Sequence, residues 1–182
     1  VRVEADNRVT TFGREAGATQ IESIARVGRD LYLATRLGLK RLQPPTRPGM
    51  PARFAGERIA RKSTWSLLPT AHGTLVATGS GIELLPTDRR RPAVEILNDN
   101  TRVSALVAAD EGWIYAVASS GIRRLRWSGS AFAVDPDVLR LVPMFDGVWR
   151  DGSLWTSIDG GGVFRISALP RGIMTAASQR SR

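Results

Sequence analysis

The sequence predicts an all-β protein with the architecture of a β-propeller, built from four consecutive blade repeats of four strands each. A hairpin-like segment recurs four times, with first residues Leu31, Leu75, Ile114 and Leu154. The copies are spaced by roughly 40 residues, which is the length of one propeller blade. The 182-residue chain has no convincing helical hydrophobic period. The recurring order of apolar and glycine positions favours a propeller over a β-sandwich, because strand spacing alone is shared by both folds.

The hairpin in each copy begins with a short apolar strand, such as Leu31 to Ala34. Both faces of this strand are apolar, which is typical of a strand covered on both sides by neighbouring sheets. A glycine-containing turn follows, and polar residues return in the second strand, as expected for a β-hairpin. The turn glycines are Gly38, Gly79 with Gly81, Gly121, and Gly160 to Gly162.

Two further strands complete each repeat. One precedes the hairpin across a turn that carries a glycine, where a positive φ closes a tight connection. The other follows the hairpin and has a weaker pattern. The preceding strands are predicted at Ile21 to Val27, Trp65 to Leu68, Val103 to Ala108 and Phe145 to Trp149, and the following strands at Ala52 to Phe54, Ala93 to Leu97 and Ala131 to Val134.

A single propeller domain is predicted over residues 1–182, with repeats at about 19–61, 62–99, 100–141 and 142–170. Residues 1–11 are interpreted as a lone strand, either the outer strand of a preceding blade or one that closes the ring onto the last blade. Residues 171–182 are small and polar and are predicted to form a loose tail. The chain begins at Val1, without a methionine, and is therefore interpreted as processed or excised.

Composition excludes several classes of function. The chain has no cysteine, which excludes a disulfide framework, a thiolate metal cluster and a cysteine nucleophile. No run approaches the roughly 18 to 20 apolar residues of a membrane span, and no amino-terminal segment has a signal-peptide pattern. The net charge is +9, but the arginines are scattered, and only Arg89 to Arg91 form a tight run. Nucleic-acid binding needs a clustered basic face, so no nucleic-acid partner is expected.

No catalytic or metal-binding constellation is visible in the sequence. His72 is the only histidine, and its position in a turn suits a plain surface residue better than a Ser-His-Asp relay or a zinc ligand. Asn98 to Asn100 and Asp135 to Asp137 lack the spacing of a calcium loop. Asp159 precedes three glycines but lacks the lysine and helix of a phosphate-binding loop. We therefore expect no metal and no cofactor, and we expect a binding module rather than an enzyme.

The repeats at Leu31 to Leu42 and Leu154 to Ile166 resemble those of the two-component regulator propeller family, which carry Leu-Trp-Ile-Gly-Thr, a short turn and Gly-Leu. The resemblance covers roughly residues 12–166. It implies a periplasmic sensory region placed ahead of a membrane segment and an intracellular histidine kinase or diguanylate cyclase. At the aromatic position of the motif stand Tyr32, Tyr115 and Trp155, with Val76 in the second repeat, and Ala34 replaces the strand glycine.

Members of that family carry more blades than four. The resemblance leaves three arrangements open, namely a part excised from a larger ring, a closed four-bladed ring, or a ring completed by two copies. An open propeller exposes apolar sheet faces on its terminal blades, and such faces promote association. We therefore expect a partial or self-associating ring, with a second copy or the remainder of a larger propeller as partner.

Candidate ligand-binding residues follow from propeller topology. The loops that join blades and the turns inside the hairpins are expected on one face around the central channel, where ligands usually bind. Aromatic side chains of the innermost strands would add a wall. These rules select Arg14, Arg61, Asp99 and Asn100 from inter-blade loops, Arg36, Ser80, Ser120 and Asp159 from hairpin turns, and Trp65 and Trp149 from innermost strands.

The resemblance thus implies a sensory module of a bacterial signal-transduction protein, which is expected to bind an unknown small molecule or glycan. A carbohydrate-active or lyase-type propeller enzyme and a protein-interaction scaffold stay open as alternatives. A carboxylate pair among Asp146, Asp151 and Asp159, or a metal at the channel mouth, would favour the enzyme. A depression lined by aromatic residues and arginine would favour the sensor, and a broad apolar face would favour the scaffold.

Overall fold

Four antiparallel sheets of four strands each follow one another along the described part of the chain in the computed structural model. The structure describes residues 2–3, 9–10, 20–45, 47, 52–56, 63–88, 90–135, 144–158, 161–168 and 174–179. Strands that are consecutive in sequence are neighbours in every sheet, so each sheet is a meander. The predicted architecture of four consecutive four-stranded repeats is confirmed.

The strands are numbered in chain order. β1 (Arg2–Val3) and β2 (Val9–Thr10) form a separate two-stranded sheet. Sheet 1 consists of β3 (Ile21–Val27), β4 (Asp30–Thr35), β5 (Gly38–Gln43) and β6 (Arg53–Gly56). Sheet 2 consists of β7 (Thr64–Thr70), β8 (Gly73–Thr78), β9 (Gly81–Leu85) and β10 (Val94–Asn98). Sheet 3 consists of β11 (Val103–Ala108), β12 (Trp113–Ala118), β13 (Gly121–Trp127) and β14 (Phe132–Val134), and sheet 4 consists of β15 (Met144–Arg150), β16 (Ser153–Ile158), β17 (Val163–Ala168) and β18 (Met174–Gln179).

The two chain ends differ from the expectation. Residues 1–11 contain two short strands that pair with each other instead of one lone strand. Met174–Gln179 lies within the segment predicted to be a loose tail, yet it pairs along its whole length with β17. Small polar residues carry little strand signal, but an unpaired edge of β17 would leave a row of backbone groups without partners, and β18 satisfies them.

The strand register corrects the alignment of the second repeat. Thr35 and Thr78 each pair with the glycine that ends their hairpin turn, so these threonines are equivalent. The residue three positions before them is Tyr32 in sheet 1 and Leu75 in sheet 2. Leu75, rather than Val76, therefore stands at the aromatic position of the repeat. Both faces of this strand are apolar, so the sequence carried no period-two pattern that would fix the register.

The hydrophobic core lies between adjacent sheets rather than inside any one of them. The first strands of successive sheets contact one another in the order β3, β7, β11 and β15, which makes them the innermost strands. Three clusters of buried side chains fill the spaces between the sheets. Sheets 1 and 2 share Tyr32, Leu39, Leu67 and Val76; sheets 2 and 3 share Leu75, Ile82, Leu106 and Leu125; and sheets 3 and 4 share Tyr115, Val117, Leu154 and Ile166.

A buried hydroxyl at the start of β7 joins sheets 1 and 2. Thr64 Oγ1 accepts a hydrogen bond from Thr35 N at 2.8 Å and donates one to Thr35 O at 3.1 Å. Both threonines are fully buried. One side chain therefore satisfies both backbone groups of Thr35 in the neighbouring sheet. These two bonds hold the start of β7 against the end of β4.

Replacing Thr64 by valine is expected to lower the free energy of unfolding by about 1–3 kcal/mol. Valine keeps the shape but leaves the buried amide and carbonyl of Thr35 without this partner. Urea denaturation followed by tryptophan fluorescence measures the change. Thr64→Ser is the control, because it keeps the hydroxyl and loses only a methyl group, worth roughly 0.8 kcal/mol. A valine variant as stable as the serine variant would contradict the role of this hydroxyl.

Candidate functional site

A cavity of about 430 Å³ is lined by residues from all four sheets. Most of the contributing residues lie at the start of an innermost strand. Sheet 1 contributes Glu22 and, from its hairpin turn, Arg36; sheet 2 contributes Trp65 and Ser66; sheet 3 contributes Arg102 and Ser104; and sheet 4 contributes Phe145 and Asp146. We call this space the inner-strand cavity.

A β-bulge near the start of every innermost strand supplies the side chains of the inner-strand cavity. The register shifts by one residue between Ile21 and Ser23 in β3, and the other three innermost strands shift at the equivalent place. A bulge inserts one residue into one strand of a pair and re-aims its side chain. The inserted residues are Glu22 in β3, Trp65 in β7, Ser104 in β11 and, within the span Phe145 to Asp146, one residue of β15.

The hairpin turn of each of sheets 1 to 3 is tied to the start of its innermost strand. Arg36 N donates to Gln20 O at 3.3 Å, and Ser119 N donates to Arg102 O at 3.0 Å. Sheet 2 has the equivalent bond, which Gly79 N donates to the carbonyl oxygen of Ser63, the residue before Thr64. This bond places turn residues and strand-start residues at the same end of the sheet, and it brings Arg36 and Arg102 to the inner-strand cavity.

Charged and aromatic groups alternate across the inner-strand cavity. Arg36 Nε lies 2.7 Å from Glu22 Oε1, and the Arg36 guanidinium carbon lies 5.4 Å from the centre of the Trp65 ring. The Arg102 guanidinium carbon lies 4.9 Å from the Trp65 ring and 5.4 Å from the Phe145 ring. The three distances from a guanidinium carbon to a ring centre are within the range of a cation–π contact. We call these five side chains, which span all four sheets, the arginine–aromatic row.

Three polar atoms of the inner-strand cavity are buried and have no hydrogen-bond partner in the described part of the chain. They are Trp65 Nε1, Arg102 Nε and Ser104 Oγ. Ser66 differs, because its Oγ accepts a bond from Leu106 N of the next innermost strand at 3.2 Å. A buried polar group without a partner costs about 1–3 kcal/mol, so a water molecule or a ligand that bonded to these atoms in the cavity would be stabilising.

Both carboxylates of the inner-strand cavity already have protein partners. Glu22 forms its ion pair with Arg36, and Asp146 Oδ1 accepts a bond from Gly147 N at 2.8 Å. Asp151 lies at the other end of β15, in an exposed turn beside Arg150. Of the three residues considered for a carboxylate pair, Asp146 therefore lines the cavity, Asp151 does not, and Asp159 lies outside the described residues.

The inner-strand cavity contains Arg36 and Trp65, two of the ten ligand-binding residues predicted from the sequence. The predicted residue Asp99 forms an ion pair with Arg123 at 2.7 Å. Ser80 is half-buried, with its Oγ buried and unpartnered in the described structure. Asn100 and Ser120 are exposed. Arg14, Arg61 and Asp159 lie outside the described residues.

Trp149 packs in the core between sheets 3 and 4 and is not among the residues that line the inner-strand cavity. Its ring stacks on Tyr115, with 5.4 Å between the ring centres. Burial of Tyr115 raises the pKa of its hydroxyl above the ordinary value of 10.0, against the lowering effect of Arg124. Sequence reasoning placed Trp149 near an innermost strand correctly, but the side chain points into the interface between the sheets.

Sequence reasoning missed Glu22, Arg102, Ser104 and Phe145 as members of the cavity. The bulge positions share no residue type, so the repeat pattern does not reveal them. Arg102 had a usable signal, because it directly precedes an innermost strand and therefore belongs to the inter-blade loops that were searched. A β-bulge depends on the pairing of two strands, and a single strand sequence does not encode it.

Two other features lie away from the inner-strand cavity. A second cavity of about 390 Å³ borders Trp113 of β12 and Arg126 and Trp127 of β13 in sheet 3. His72 was expected to be a plain surface residue, and it is exposed, but its ring stacks on Trp127 with 3.8 Å between the ring centres. This contact joins the β7–β8 turn of sheet 2 to sheet 3.

Within the described ranges, no group of three or more histidine or acidic side chains could hold a metal ion. Likewise, none of the helical segments among those residues is long and apolar enough to cross a membrane.

The meandering sheets, with their first strands meeting at one cavity, define the β-propeller fold. Neither a protein-family model nor a curated protein matches the sequence. Solved structures do match, and at 12% to 15% identity they establish the fold alone.

One similar structure is a catalytically inactive virginiamycin B lyase from Staphylococcus aureus, solved with quinupristin. It has a TM-score of 0.67 and 12% identity, over 99% of this chain and 62% of the lyase. Another is the extracellular domain of a candidate one-component system from B. thetaiotaomicron, with a TM-score of 0.64 and 14% identity, over 98% of this chain and 32% of that domain. The same extracellular domain, described as part of a hybrid two-component system, matches with a TM-score of 0.58 and 15% identity over 97% of this chain and 31% of the domain. The chain thus spans less than two thirds of each structure.

Proposed function

We propose that this propeller is a ligand-binding, sensory module of a bacterial signal-transduction protein and that its ligand occupies the inner-strand cavity. The observation that carries the proposal is the arginine–aromatic row, which crosses a cavity containing three buried polar atoms without partners in the described structure. Ligand sites combine apolar and aromatic walls with a few convergent polar groups, and the row has this composition.

Two further points support a sensory role. A depression lined by arginine and aromatic residues is the arrangement that favours a sensor over an enzyme or a scaffold. The similar extracellular domain from B. thetaiotaomicron supports an extracytoplasmic location, because it has the same fold. Ligand binding would bridge strands from four sheets, which is a direct way to change how the sheets are held relative to one another.

A lyase-type enzyme is the second candidate. The observation that favours it is the similarity to virginiamycin B lyase, together with Asp146 in the cavity. An enzyme of this type would convert its ligand, whereas a sensor would release it unchanged. The two candidates therefore predict different fates for the same bound molecule.

A thermal-shift screen with metabolites and oligosaccharides tests the proposal. We expect at least one compound to raise the unfolding temperature of the wild-type chain, because a ligand present at 100 times its Kd stabilises the folded state by about 2.7 kcal/mol. Trp65→Ala should abolish this stabilisation. Trp113→Ala is the matched control, because Trp113 is also half-buried and also lies beside two arginines, Arg124 and Arg126, but outside the inner-strand cavity.

Three outcomes separate the candidates. Stabilisation that depends on Trp65, with the compound recovered unchanged by mass spectrometry, supports the sensor. Loss of the compound during incubation with the wild-type chain replaces the sensor with the enzyme. Stabilisation that Trp113→Ala abolishes and Trp65→Ala leaves intact would move the ligand out of the inner-strand cavity.

A further inference from the structure

The three unpartnered atoms of the inner-strand cavity share one chemical property. Arg102 Nε and Trp65 Nε1 can only donate hydrogen bonds, and Ser104 Oγ can donate as well as accept. All three residues line the same cavity. A ligand that satisfies both nitrogens must present hydrogen-bond acceptors, to which Ser104 Oγ can donate as well, and a carboxylate or another oxyanion supplies several acceptors in one group.

Arg102 also differs from comparable arginines in its charge environment. Three other arginines of the described chain are half-buried, and each has an aspartate as partner: Arg41 with Asp30 at 3.6 Å, Arg123 with Asp99 at 2.7 Å, and Arg124 with Asp135. Arg102 is half-buried too, but no ion pair with a described carboxylate is formed. A cation withdrawn from water without a counter-ion is costly, so an anionic ligand would gain from this position.

The guanidinium of Arg102 is held in a defined orientation. It lies between the rings of Trp65 and Phe145, at 4.9 Å and 5.4 Å from their centres. A planar guanidinium fixed in this way can meet the two oxygens of a carboxylate without first losing rotational freedom. The ring edges beside it offer apolar contact to the carbon skeleton of the same ligand.

The carboxylates of the cavity indicate what else the ligand carries. Glu22 and Asp146 line the same space, and ionised carboxylates accept hydrogen bonds but donate none. A bare inorganic oxyanion has no donors to offer them and would be repelled. Hydroxyl groups next to the oxyanion would donate to these oxygens. The volume of about 430 Å³ lies within the range of small-molecule sites.

We infer that the inner-strand cavity recognises a small hydroxylated organic acid, whose oxyanion binds Arg102, Trp65 and Ser104 and whose hydroxyl groups face Glu22 and Asp146. This inference rests on the proposed function, because it names the chemistry of the ligand in the same cavity. The inference specifies that the ligand is negatively charged and carries hydroxyl groups. The ligand can be either a sugar acid or an open-chain hydroxy acid.

The test is a titration of the ¹⁵N-labelled chain at constant ionic strength, followed at the indole N–H of Trp65 and the Nε–H of Arg102. The probes are D-glucuronate, its neutral counterpart D-glucose, L-malate and inorganic sulfate. We expect glucuronate or malate to shift both signals saturably and to bind at least tenfold more tightly than glucose, with sulfate weaker than the better acid. Glucuronate and malate distinguish the two sources of acid.

Arg102→Gln should weaken binding of the better acid at least tenfold, because it removes the charge but keeps a hydrogen-bond donor. Arg126→Gln is the matched control, since Arg126 also lies over a tryptophan ring but outside the cavity, and it should leave the affinity unchanged. Glucose binding as tightly as glucuronate would overturn the requirement for charge and leave the proposed function standing. Sulfate binding as tightly as the acids would overturn the requirement for hydroxyl groups, and no shift with any acid would overturn the inference as a whole.

Discussion

Replacing Gly81 by alanine is expected to lower the free energy of unfolding by roughly 2–4 kcal/mol. Gly81 begins β9 with φ at +149°, a conformation that residues with a side chain rarely adopt. A Cβ added there would lie 1.9 Å from Leu97 O and 2.7 Å from Leu97 C. These atoms belong to the backbone of β10, so the clash can be relieved only by moving the outer strand of sheet 2. Overpacking and backbone strain each cost about 1–3 kcal/mol.

Gly112→Ala is the control for the clash. Gly112 also has a positive φ, of +75°, but a Cβ there would meet nothing within 4 Å. We expect this substitution to cost only the strain of the positive φ, about 1 kcal/mol. Urea denaturation gives both values, and hydrogen exchange should show the extra loss at Gly81 confined to β9 and β10. Equal costs for the two variants would contradict the role of the close approach to Leu97.

The strands were predictable because glycine and apolar residues mark them locally. Ile21–Val27 and Val103–Ala108 coincide with the predicted strands, since each ends at a turn signal in the sequence. The site was predictable only in part. Arg36 and Trp65 followed from where turns and innermost strands lie in a propeller, but Glu22 and Ser104 reach the cavity through β-bulges, which depend on strand pairing.

Two apolar side chains on the end sheets are exposed at positions that are buried in the interior sheets. By strand register, Ile24 in sheet 1, Leu67 in sheet 2 and Leu106 in sheet 3 occupy the same position of the innermost strand. Leu67 is 8% exposed and Leu106 is 7% exposed, because each faces the preceding sheet. Ile24 is 59% exposed. The equivalent position is therefore exposed in sheet 1, although Leu33, which pairs with Ile24 on the same face, is 1% exposed.

Sheet 4 has the same property on its opposite face. Val107 of sheet 3 is 8% exposed and packs towards sheet 4, whereas Val148 stands at the equivalent position of β15 and is 57% exposed. Ile24 and Val148 thus belong to surfaces that are buried in the interior sheets. Apolar positions of this kind would gain burial from another blade of the same repeat.

Introducing aspartate at the equivalent positions Leu67 and Ile24 is expected to change the free energy of unfolding by very different amounts. Leu67→Asp should lower the free energy of unfolding by more than about 4 kcal/mol, because it places a charge among the apolar residues between sheets 1 and 2. Ile24→Asp should change the stability of the isolated chain by less than about 0.5 kcal/mol, since the side chain meets water. Circular dichroism during urea denaturation measures both. A large loss of stability in Ile24→Asp at low protein concentration would contradict the exposure of Ile24.

The same variant reports on association. We propose that the faces of Ile24 and Val148 mediate contact with a second copy, because an apolar position that the repeat normally buries gains the same burial from a partner blade. Wild-type chain should then show a mass above that of the monomer in sedimentation equilibrium as its concentration rises, and Ile24→Asp should return it to the monomer. A wild-type chain that stays monomeric at high concentration would remove self-association through these faces. Either result also bears on the cavity, since Glu22 and Phe145 stand on the same end sheets and a further blade beside them would extend its wall.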